Sequence, residues 1–197
     1  MSRGPELLSD AALDLLFRRA RTHDVLHPPV TDVQLRALYD VMKWGPTNSN
    51  AQPLRILFLR SEAAKERLKP ALSSTNRDKT LTAPVVAILA YDLRFYEHLS
   101  RMYHKPNARS WYEGKPDVEL QALRNSSIQG GYFIMAARAV GLDCGPMSGF
   151  DNAKVDAEFF PEGHIKSNFL CNLGRGDPAH LVPRADRFAF DEVCKIL

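Results

Sequence analysis

The 197-residue chain has no long hydrophobic run, few cysteines and little net charge. Its longest apolar stretch runs only from Ala83 to Tyr91, well short of the roughly 20 residues that a membrane-spanning helix needs. Its three cysteines, Cys144, Cys171 and Cys194, form no CxxC pair, and a net charge of +3 implies no basic surface for nucleic acid. We therefore expect a cytoplasmic protein without a membrane or nucleic-acid partner, with each cysteine buried as a small hydrophobe.

Several common catalytic patterns are also missing. No GxGxxG follows a strand, and no Walker loop is present, so a dinucleotide-binding or P-loop domain is excluded. Ser148 lies one position too late in G-P-M-S-G for the nucleophile elbow of a hydrolase. His23 and His27 are spaced as a helical pair but adjoin two prolines and lack an HExxH context. The sequence therefore predicts no metal site.

Apolar periodicity and turn residues predict a mixture of helices and strands in one domain, residues 1–197. The order lacks the regular alternation of a doubly wound parallel sheet, and residues 178–197 form an extension. Gly130 and Gly131 interrupt the longest predicted helix at about 1 kcal/mol each, which indicates close packing of another backbone or a ligand. The predicted helices cover residues 7–18, 32–44, 61–72, 93–103, 117–140 and 151–160, the strands cover 55–59, 85–91 and 165–173, and a tight turn covers 144–150.

Basic side chains gather near both ends of the chain. Arg19 and Arg21 precede His23, and Arg184 and Arg187 lie in the C-terminal extension. Guanidinium groups from both ends could converge on one phosphate, since charge-assisted hydrogen bonds contribute about 1.5–3 kcal/mol each. The alternative is a solvated basic face at the end of the first helix.

Two further segments offer short polar groups. The turn from Pro46 to Pro53 presents Thr47, Asn48, Asn50 and Gln52, which suit the edges of a flavin ring and its ribityl chain, although a plain polar loop would look the same. Asn76 and Lys79 are three residues apart and would share a face if helical. A lysine beside the N1–C2 edge of a flavin would stabilise the negative charge of reduction, whereas surface decoration is the alternative.

These segments together resemble the FMN-dependent nitroreductase family. The string PTNSNAQP at residues 46–53 is similar to the family's P-S-S-x-N-x-Q-P-W motif, with Leu54 in place of the usual tryptophan. Asn76 to Lys79 before APVVAILAY, GLDCGPMSGFD at 141–151 and the N-terminal Arg19-Ala20-Arg21 also resemble that family. MKWGPTNSN, KPALSSTN and RNSS are most similar to its RutE-type branch of malonic semialdehyde reductases, in pyrimidine degradation.

The resemblance implies an α+β fold, in which helices flank a central, mostly antiparallel sheet, and an intertwined homodimer whose extension, residues 178–197, contacts the partner. It implies that the Thr47 to Gln52 segment reaches the partner's flavin. The resemblance assigns the FMN phosphate to Arg19, Arg21 and Arg187, with Arg184 a weaker candidate. It assigns the ribityl chain or ring edge to His23, and the pyrimidine side of the ring to Asn76 and Lys79. The region near N5 would be covered by Pro146, Met147, Ser148 and Gly149.

The resemblance also implies an activity. NAD(P)H would reduce FMN at N5 and leave, and malonic semialdehyde would then be reduced to 3-hydroxypropionate, in ping-pong order. Lys79 would stabilise the charge on the flavin, and Lys105, Arg109 and Trp111 in the loop of residues 104–116 are candidates for the substrate carboxylate, or else part of a solvated lid. A general nitro- or quinone reductase, a flavin-binding sensor or storage protein and a cofactor-free interaction domain are the alternatives. The sequence does not choose between NADH and NADPH.

Overall fold

Helices pack on both faces of a five-stranded sheet in the computed structural model, which describes residues 7–197. The helices are α1 (Asp10–Leu13), α2 (Asp32–Met42), α3 (Glu62–Leu68), α4 (Ser74–Thr82), α5 (Leu99–Met102), α6 (Val118–Ala139), α7 (Asn152–Phe159) and α8 (Phe190–Val193). The strands are β1 (Leu26–His27), β2 (Leu54–Leu59), β3 (Val85–Asp92), β4 (Asp143–Met147) and β5 (Ile165–Gly176). A π-helical turn, Asp14–Arg18, extends α1, and 3₁₀ turns cover Asn48–Asn50, Lys69–Ala71, Phe95–His98, Ala108–Trp111 and Pro178–His180.

The strands pair antiparallel in the order β1, β5, β3, β2, and β4 also pairs with β5. Leu173 of β5 lies opposite Val85 of β3 and opposite Cys144 of β4, so β5 is an interior strand. The predicted α+β fold with an antiparallel sheet is therefore confirmed. The predicted single domain, 1–197, includes residues 1–6, which lie outside the described residues.

Strand β3 lies at the centre of the core because all of its residues are buried. Successive side chains of a strand point to opposite faces of the sheet. Val85, Ala87 and Leu89 accordingly pack in the cluster that contains α2 and α6 side chains, whereas Val86 and Ile88 pack in the cluster on the other face. A strand buried on both faces reads as a continuous apolar run, which is why it was visible in the sequence.

Local signals set the beginnings of two helices. Thr31 caps α2 through a capping box with Gln34, and the Ser61 hydroxyl accepts the Ala64 N–H at the start of α3.

The prediction of a tight turn over residues 144–150 was wrong, because most of that segment is β4 and pairs with β5. Its Gly-Pro pair is compatible with an edge position, where a proline removes no needed hydrogen bond.

The two glycines of α6 have different surroundings. A Cβ on Gly130 would lie 2.6 Å from the Phe169 ring, so an aromatic side chain, and not another backbone, accounts for this glycine. Gly131 faces open space. Cys144 and Cys171 are buried as expected, but Cys194 is exposed, so that part of the cysteine prediction was wrong.

Between residues 7 and 197, none of the helices is long and apolar enough to cross a membrane. Within the same described range, no group of three or more His, Cys, Asp or Glu side chains is arranged to hold a metal ion.

Candidate functional site

The two ends of the chain meet through reciprocal arginine contacts. Arg21 donates a short hydrogen bond to the Val182 carbonyl, and Arg184 donates to the Ala20 carbonyl at 2.8 Å. Arg184 is exposed, and Arg21 is half-buried. These contacts hold residues 20–21 beside residues 182–184, so arginines from opposite ends of the sequence belong to one junction. Guanidinium groups are donors that a phosphate group favours.

The other two predicted phosphate ligands have local partners. Arg19 is 84% exposed at its side chain and pairs with Asp14 at 3.0 Å. Arg187 donates to the carbonyls of Ala185 and Asp186 in its own segment. The structure thus brings Arg184 to Arg21, although the sequence had favoured Arg187.

His23 is buried between the N-terminal segment and the end of β5. It is 8% exposed, and its Nδ1 lies 3.3 Å from the Asp177 carbonyl. A Cβ on Gly176 would lie 2.3 Å from the His23 ring, so only glycine leaves room for the imidazole. His23 therefore supports the junction between the chain ends, next to Arg21.

Asp177 carries the charge at this junction. Its carboxylate accepts the Ala179 backbone N–H at 2.9 Å and faces His27 at 3.3 Å and His180 at 3.1 Å. The Ala179 N–H, followed by His27, holds the pKa of Asp177 below its usual range. The aspartate therefore stays ionised near neutral pH.

Lys79 and Asn76 lie on α4 and contact different neighbours. The Lys79 ammonium is 3.0 Å from a carboxylate oxygen of Asp24, and Asn76 donates its side-chain N–H to the Gly149 carbonyl at 3.1 Å. Lys79 and Asp24 share a small cavity of about 10 Å³ with His23, Pro146 and Met147, among other residues. Both residues lie within helix α4, as the prediction that they share one helical face required.

The end of β4 and the residues that follow it are hydrogen-bonded to α4 and its N-cap. The Gly149 carbonyl accepts hydrogen bonds from the Ser73 backbone and from Asn76, both at 3.1 Å. The Met147 sulfur accepts the Thr80 hydroxyl at 3.3 Å. Pro146 and Ser148 alternate with these residues and are exposed, so the segment presents one free edge to a ligand.

The polar turn has an unusual backbone. Ser49, Asn50 and Gln52 have φ values of 51°, 48° and 41°, in the left-handed region that non-glycine residues rarely adopt. Asn125 of α6 accepts the Asn48 N–H at 2.7 Å, and Tyr112 donates its hydroxyl to Ser49 at 2.9 Å. Contacts from two other elements therefore stabilise a costly conformation.

The side chains of this turn mostly face outward or one another. Pro46, Asn48 and Asn50 are exposed. Asn50 donates to the Met102 carbonyl at 2.8 Å, Gln52 donates to Asn50 at 2.7 Å, and Thr47 accepts the Gln52 N–H at 3.1 Å. These partners belong to elements different from those around Lys79.

A cleft of about 810 Å³ opens beside the turn, between α2, β2 and α5. Apolar side chains such as Ile56 and Phe58 line it, and Arg36 and Arg101 lie among its polar residues. Strand β2 is paired only with β3 among the described residues, so its other edge faces the cleft.

The substrate candidates Lys105, Arg109 and Trp111 contact other residues of the loop of residues 104–116. Arg109 forms a short, bidentate ion pair with Glu113, which raises the pKa of Arg109. Lys105 lies 5.7 Å from the centroid of the Trp111 ring. Trp111 is 40% exposed. Since Glu113 already neutralises Arg109, Lys105 is the better placed of the two cations for a substrate carboxylate.

Two residues at Lys79 were missed in the sequence. Asp24 binds the ammonium, and Asn172 donates its side-chain N–H to the Lys79 carbonyl at 3.1 Å. Asn172 is 1% exposed, and its Oδ1 is buried without a hydrogen-bond partner. The available signal was the amide of Asn172 within an apolar run of β5, because a buried polar side chain usually has a hydrogen-bond partner.

The hydrogen-bonding groups of the site therefore differ from one end to the other. Guanidinium groups lie at the junction of the chain ends, and ammonium and amide groups lie along α4 and the segment after β4. Such a surface suits an elongated ligand with a phosphate at one end and a hydrogen-bonding ring at the other.

Comparisons with known proteins identify the family of the chain. The model of the Nitroreductase family matches residues 19–171. A protein of Burkholderia lata named "Putative NADH dehydrogenase/NAD(P)H nitroreductase" is 56% identical over 191 residues, 96% of this chain and 98% of its own length. A protein of the same name from Ralstonia nicotianae is 52% identical over 192 residues, with coverage of 96% and 98%.

Solved structures share the fold at low sequence identity. A "putative nitroreductase in complex with FMN" from Exiguobacterium sibiricum has a TM-score of 0.86 at 18% identity, covering 98% of this chain and 99% of its own. A Bacillus subtilis protein described as a nitroreductase has a TM-score of 0.85 at 21% identity, with coverage of 95% and 99%. The family match and the two close relatives establish that the chain belongs to the nitroreductase family.

Proposed function

We propose that the protein is an FMN-dependent NAD(P)H oxidoreductase. The observation that carries this proposal is that Arg21 and Arg184, from opposite ends of the chain, belong to one junction. In the same structure, Lys79 and Asn76 of α4 lie beside β4 and the segment after it. The names of the relatives, which include NAD(P)H nitroreductase, and the FMN in the Exiguobacterium structure support it.

The residues present fit FMN by their chemistry. Arg21 and Arg184 would hold the phosphate, and Asn76 and Lys79 would meet the pyrimidine side of the ring. Asn172 gives a second sign of fit, because its buried Oδ1 is an acceptor without a partner beside Lys79. When bound, FMN supplies hydride transfer through its N5 atom, from NAD(P)H to an acceptor.

The protein would bind the cofactor, place a positive charge beside its ring and leave one edge of the site open to small molecules. The Lys79 ammonium would stabilise negative charge at the N1–C2 edge of the ring. The clamp on Gly149 fixes the segment that would lie near N5, and the exposed Pro146 and Ser148 leave that segment open to small molecules. NAD(P)H would not need a domain of its own, because it would bind and leave at this opening.

The visible spectrum of the purified protein, after incubation with excess FMN and gel filtration, tests the cofactor. Retained yellow flavin that bleaches on anaerobic addition of NADH or NADPH is the expected result. A colourless protein would overturn the proposal, and retained flavin that both nicotinamides leave oxidised would favour a sensor or storage protein.

For the acceptor we propose malonic semialdehyde. The support is the similarity of MKWGPTNSN, KPALSSTN and RNSS to the RutE-type branch, and Lys105, beside Trp111, would be the cation that meets the substrate carboxylate. A broad nitro- or quinone reductase is the second candidate, and the relatives' names favour it. Values of kcat/KM for malonic semialdehyde and for a nitrofuran, measured side by side, decide between them. A higher value for the nitrofuran would refute our choice.

We further propose that the enzyme is a homodimer in which the polar turn serves the partner's flavin. The turn is hydrogen-bonded to Asn125, Tyr112 and Met102 and leaves Asn48 and Asn50 exposed, so an outside ligand would explain why it is held in a costly backbone. The apolar face of α6 supports an interface as well. Its exposed residues are Leu120, Leu123, Ile128 and Tyr132, beside the open space over Gly131.

The C-terminal extension is the proposed arm of this dimer. Its residues from Phe188 to Leu197 are exposed and include several large apolar side chains. The free edge of β2 and its apolar cleft could receive such a segment from a second copy, and Arg36 and Arg101 would meet its acidic residues.

Sedimentation of wild type and Ile128→Asp tests the interface. Wild type should sediment as a dimer, and the variant should shift toward monomer and lose flavin, because a charge would be buried between copies. The matched control is Ala63→Asp, which adds the same charge at an exposed position of α3, outside the α6 face. A monomeric wild type would refute the dimer.

A further inference from the structure

The ammonium of Lys79 already has a partner in the protein. It lies 3.0 Å from Asp24, whose side chain is 67% exposed, while the side chain of Lys79 is 27% exposed. Asp24 is held in place by its neighbours, because Thr22 forms a bridge to Cys144 of β4 and His23 is buried against Gly176. The sheet therefore fixes the backbone that carries the carboxylate beside the lysine.

The main chain of Lys79 is fixed independently. Its carbonyl lies in the last turn of α4, where the helix ends because Ala83 is extended. Carbonyls in such a position have no partner within the helix. Asn172, almost completely buried, supplies the missing donor at 3.1 Å. Only the flexible side chain of Lys79 is then free to move.

We infer that Asp24 is a positioning residue for Lys79: it holds the ammonium in an ion pair and offsets the charge that the lysine offers to the cofactor. This inference rests on the proposed function. An ion pair has no net charge, so the lysine would stabilise reduced FMN less than a free ammonium would. Asparagine at position 24 has nearly the same shape but no charge, and it would release the lysine. The effect is moderate because the carboxylate is exposed to solvent.

The experiment measures the midpoint potential of bound FMN, together with its dissociation constants in the oxidised and reduced forms. In Asp24→Asn, the preference for reduced over oxidised FMN should rise about fivefold, which is about 20 mV upward for a two-electron couple. The matched control is Asp78→Asn, which removes the same charge from an exposed position next to Lys79 in sequence. It should change the preference less than about twofold.

A double variant tests whether Asp24 acts through the lysine. In a Lys79→Gln background, Asp24→Asn should change the preference for reduced FMN less than about twofold, because no ammonium remains to be released. A full effect in that background would mean that the carboxylate acts on the cofactor directly, and the positioning role would be refuted. An unchanged or lower potential in Asp24→Asn alone would refute it too.

The failures of the two proposals are distinguishable. If wild type retains FMN that NAD(P)H reduces, but Asp24→Asn behaves like Asp78→Asn, only the role of Asp24 is overturned. If wild type retains no FMN, the proposed function is overturned, and the role of Asp24 with it. Asp24→Ser, which lacks an amide that could hold the lysine in its turn, should shift the potential in the same direction.

Discussion

Replacement of Gly149 by alanine should break the clamp between α4 and the segment after β4. The new methyl group would lie 2.4 Å from the Asn76 side-chain nitrogen, whereas ordinary contacts begin at 3.4 Å, so the amide must move by roughly 1 Å. The hydrogen bond from Asn76 to the Gly149 carbonyl would be lost, and the buried amide left without this partner costs about 1–3 kcal/mol. We expect the free energy of unfolding to fall by about 2–3 kcal/mol and Tm by roughly 5–10 °C.

Urea unfolding of the cofactor-free protein measures this change, and FMN binding reports its effect on the site. The matched background is Asn76→Ala, in which the alanine methyl meets only the Ser73 hydroxyl oxygen, at 2.9 Å, and this small group can rotate away. There, Gly149→Ala should lower the free energy of unfolding by less than about 1 kcal/mol, and the two substitutions should be strongly non-additive. Equal effects in both backgrounds would refute the steric explanation, and a fully stable single variant would contradict the clamp itself.

Three further outcomes are expected. Arg184→Gln should raise the Kd for FMN by about 5–30-fold, with little change in the unfolding of the cofactor-free protein, since Arg184 is exposed; an unchanged Kd would remove it from the phosphate site. The low folded-state pKa of Asp177 means that its contribution is present above its unfolded pKa of about 3.9 and is lost as pH falls through the folded value. Asp177→Asn should therefore flatten the acid loss of stability in urea midpoints taken from about pH 5 to pH 3, and an equally steep loss would contradict this. Burial, and then the hydrogen bond to Glu119, raise the pKa of Tyr91, so its contribution is complete below about pH 10 and lost at higher pH. Tyr91→Phe should lose less stability than wild type between about pH 9 and pH 11, and parallel pH profiles would contradict the assignment.

Local chemistry made much of the fold predictable. The capping residues Thr31 and Ser61 and the apolar run of β3 are signals that act within a few residues, and all three elements formed where expected. Strand β4 was not predictable from its own residues. Its Gly-Pro pair favours a turn locally, and only its pairing with β5, which depends on the whole sheet, makes it a strand.

The site was predictable as a set of residue types but not as a set of contacts. Arg184 and Arg187 are equivalent in charge and exposure, and the path of the chain after Pro178–His180 decides which of them reaches Ala20. The sequence did not identify Asp24 as a site residue for a related reason. Its importance comes from lying 3.0 Å from Lys79, which is 55 residues away in sequence.

The backbone of the polar turn bears on the proposed homodimer. Left-handed backbone at a non-glycine residue costs of the order of 1 kcal/mol or more, and Ser49, Asn50 and Gln52 all adopt it. Asn125 and Tyr112 stabilise the turn from below but leave its outer polar groups exposed. Strain of this kind persists where it places groups for binding. The turn is hydrogen-bonded to Asn125, Tyr112 and Met102, which lie in other elements than Lys79. A ligand supplied by a second copy would explain its shape, and this is the physical argument for the proposed role of the turn in a partner's flavin site.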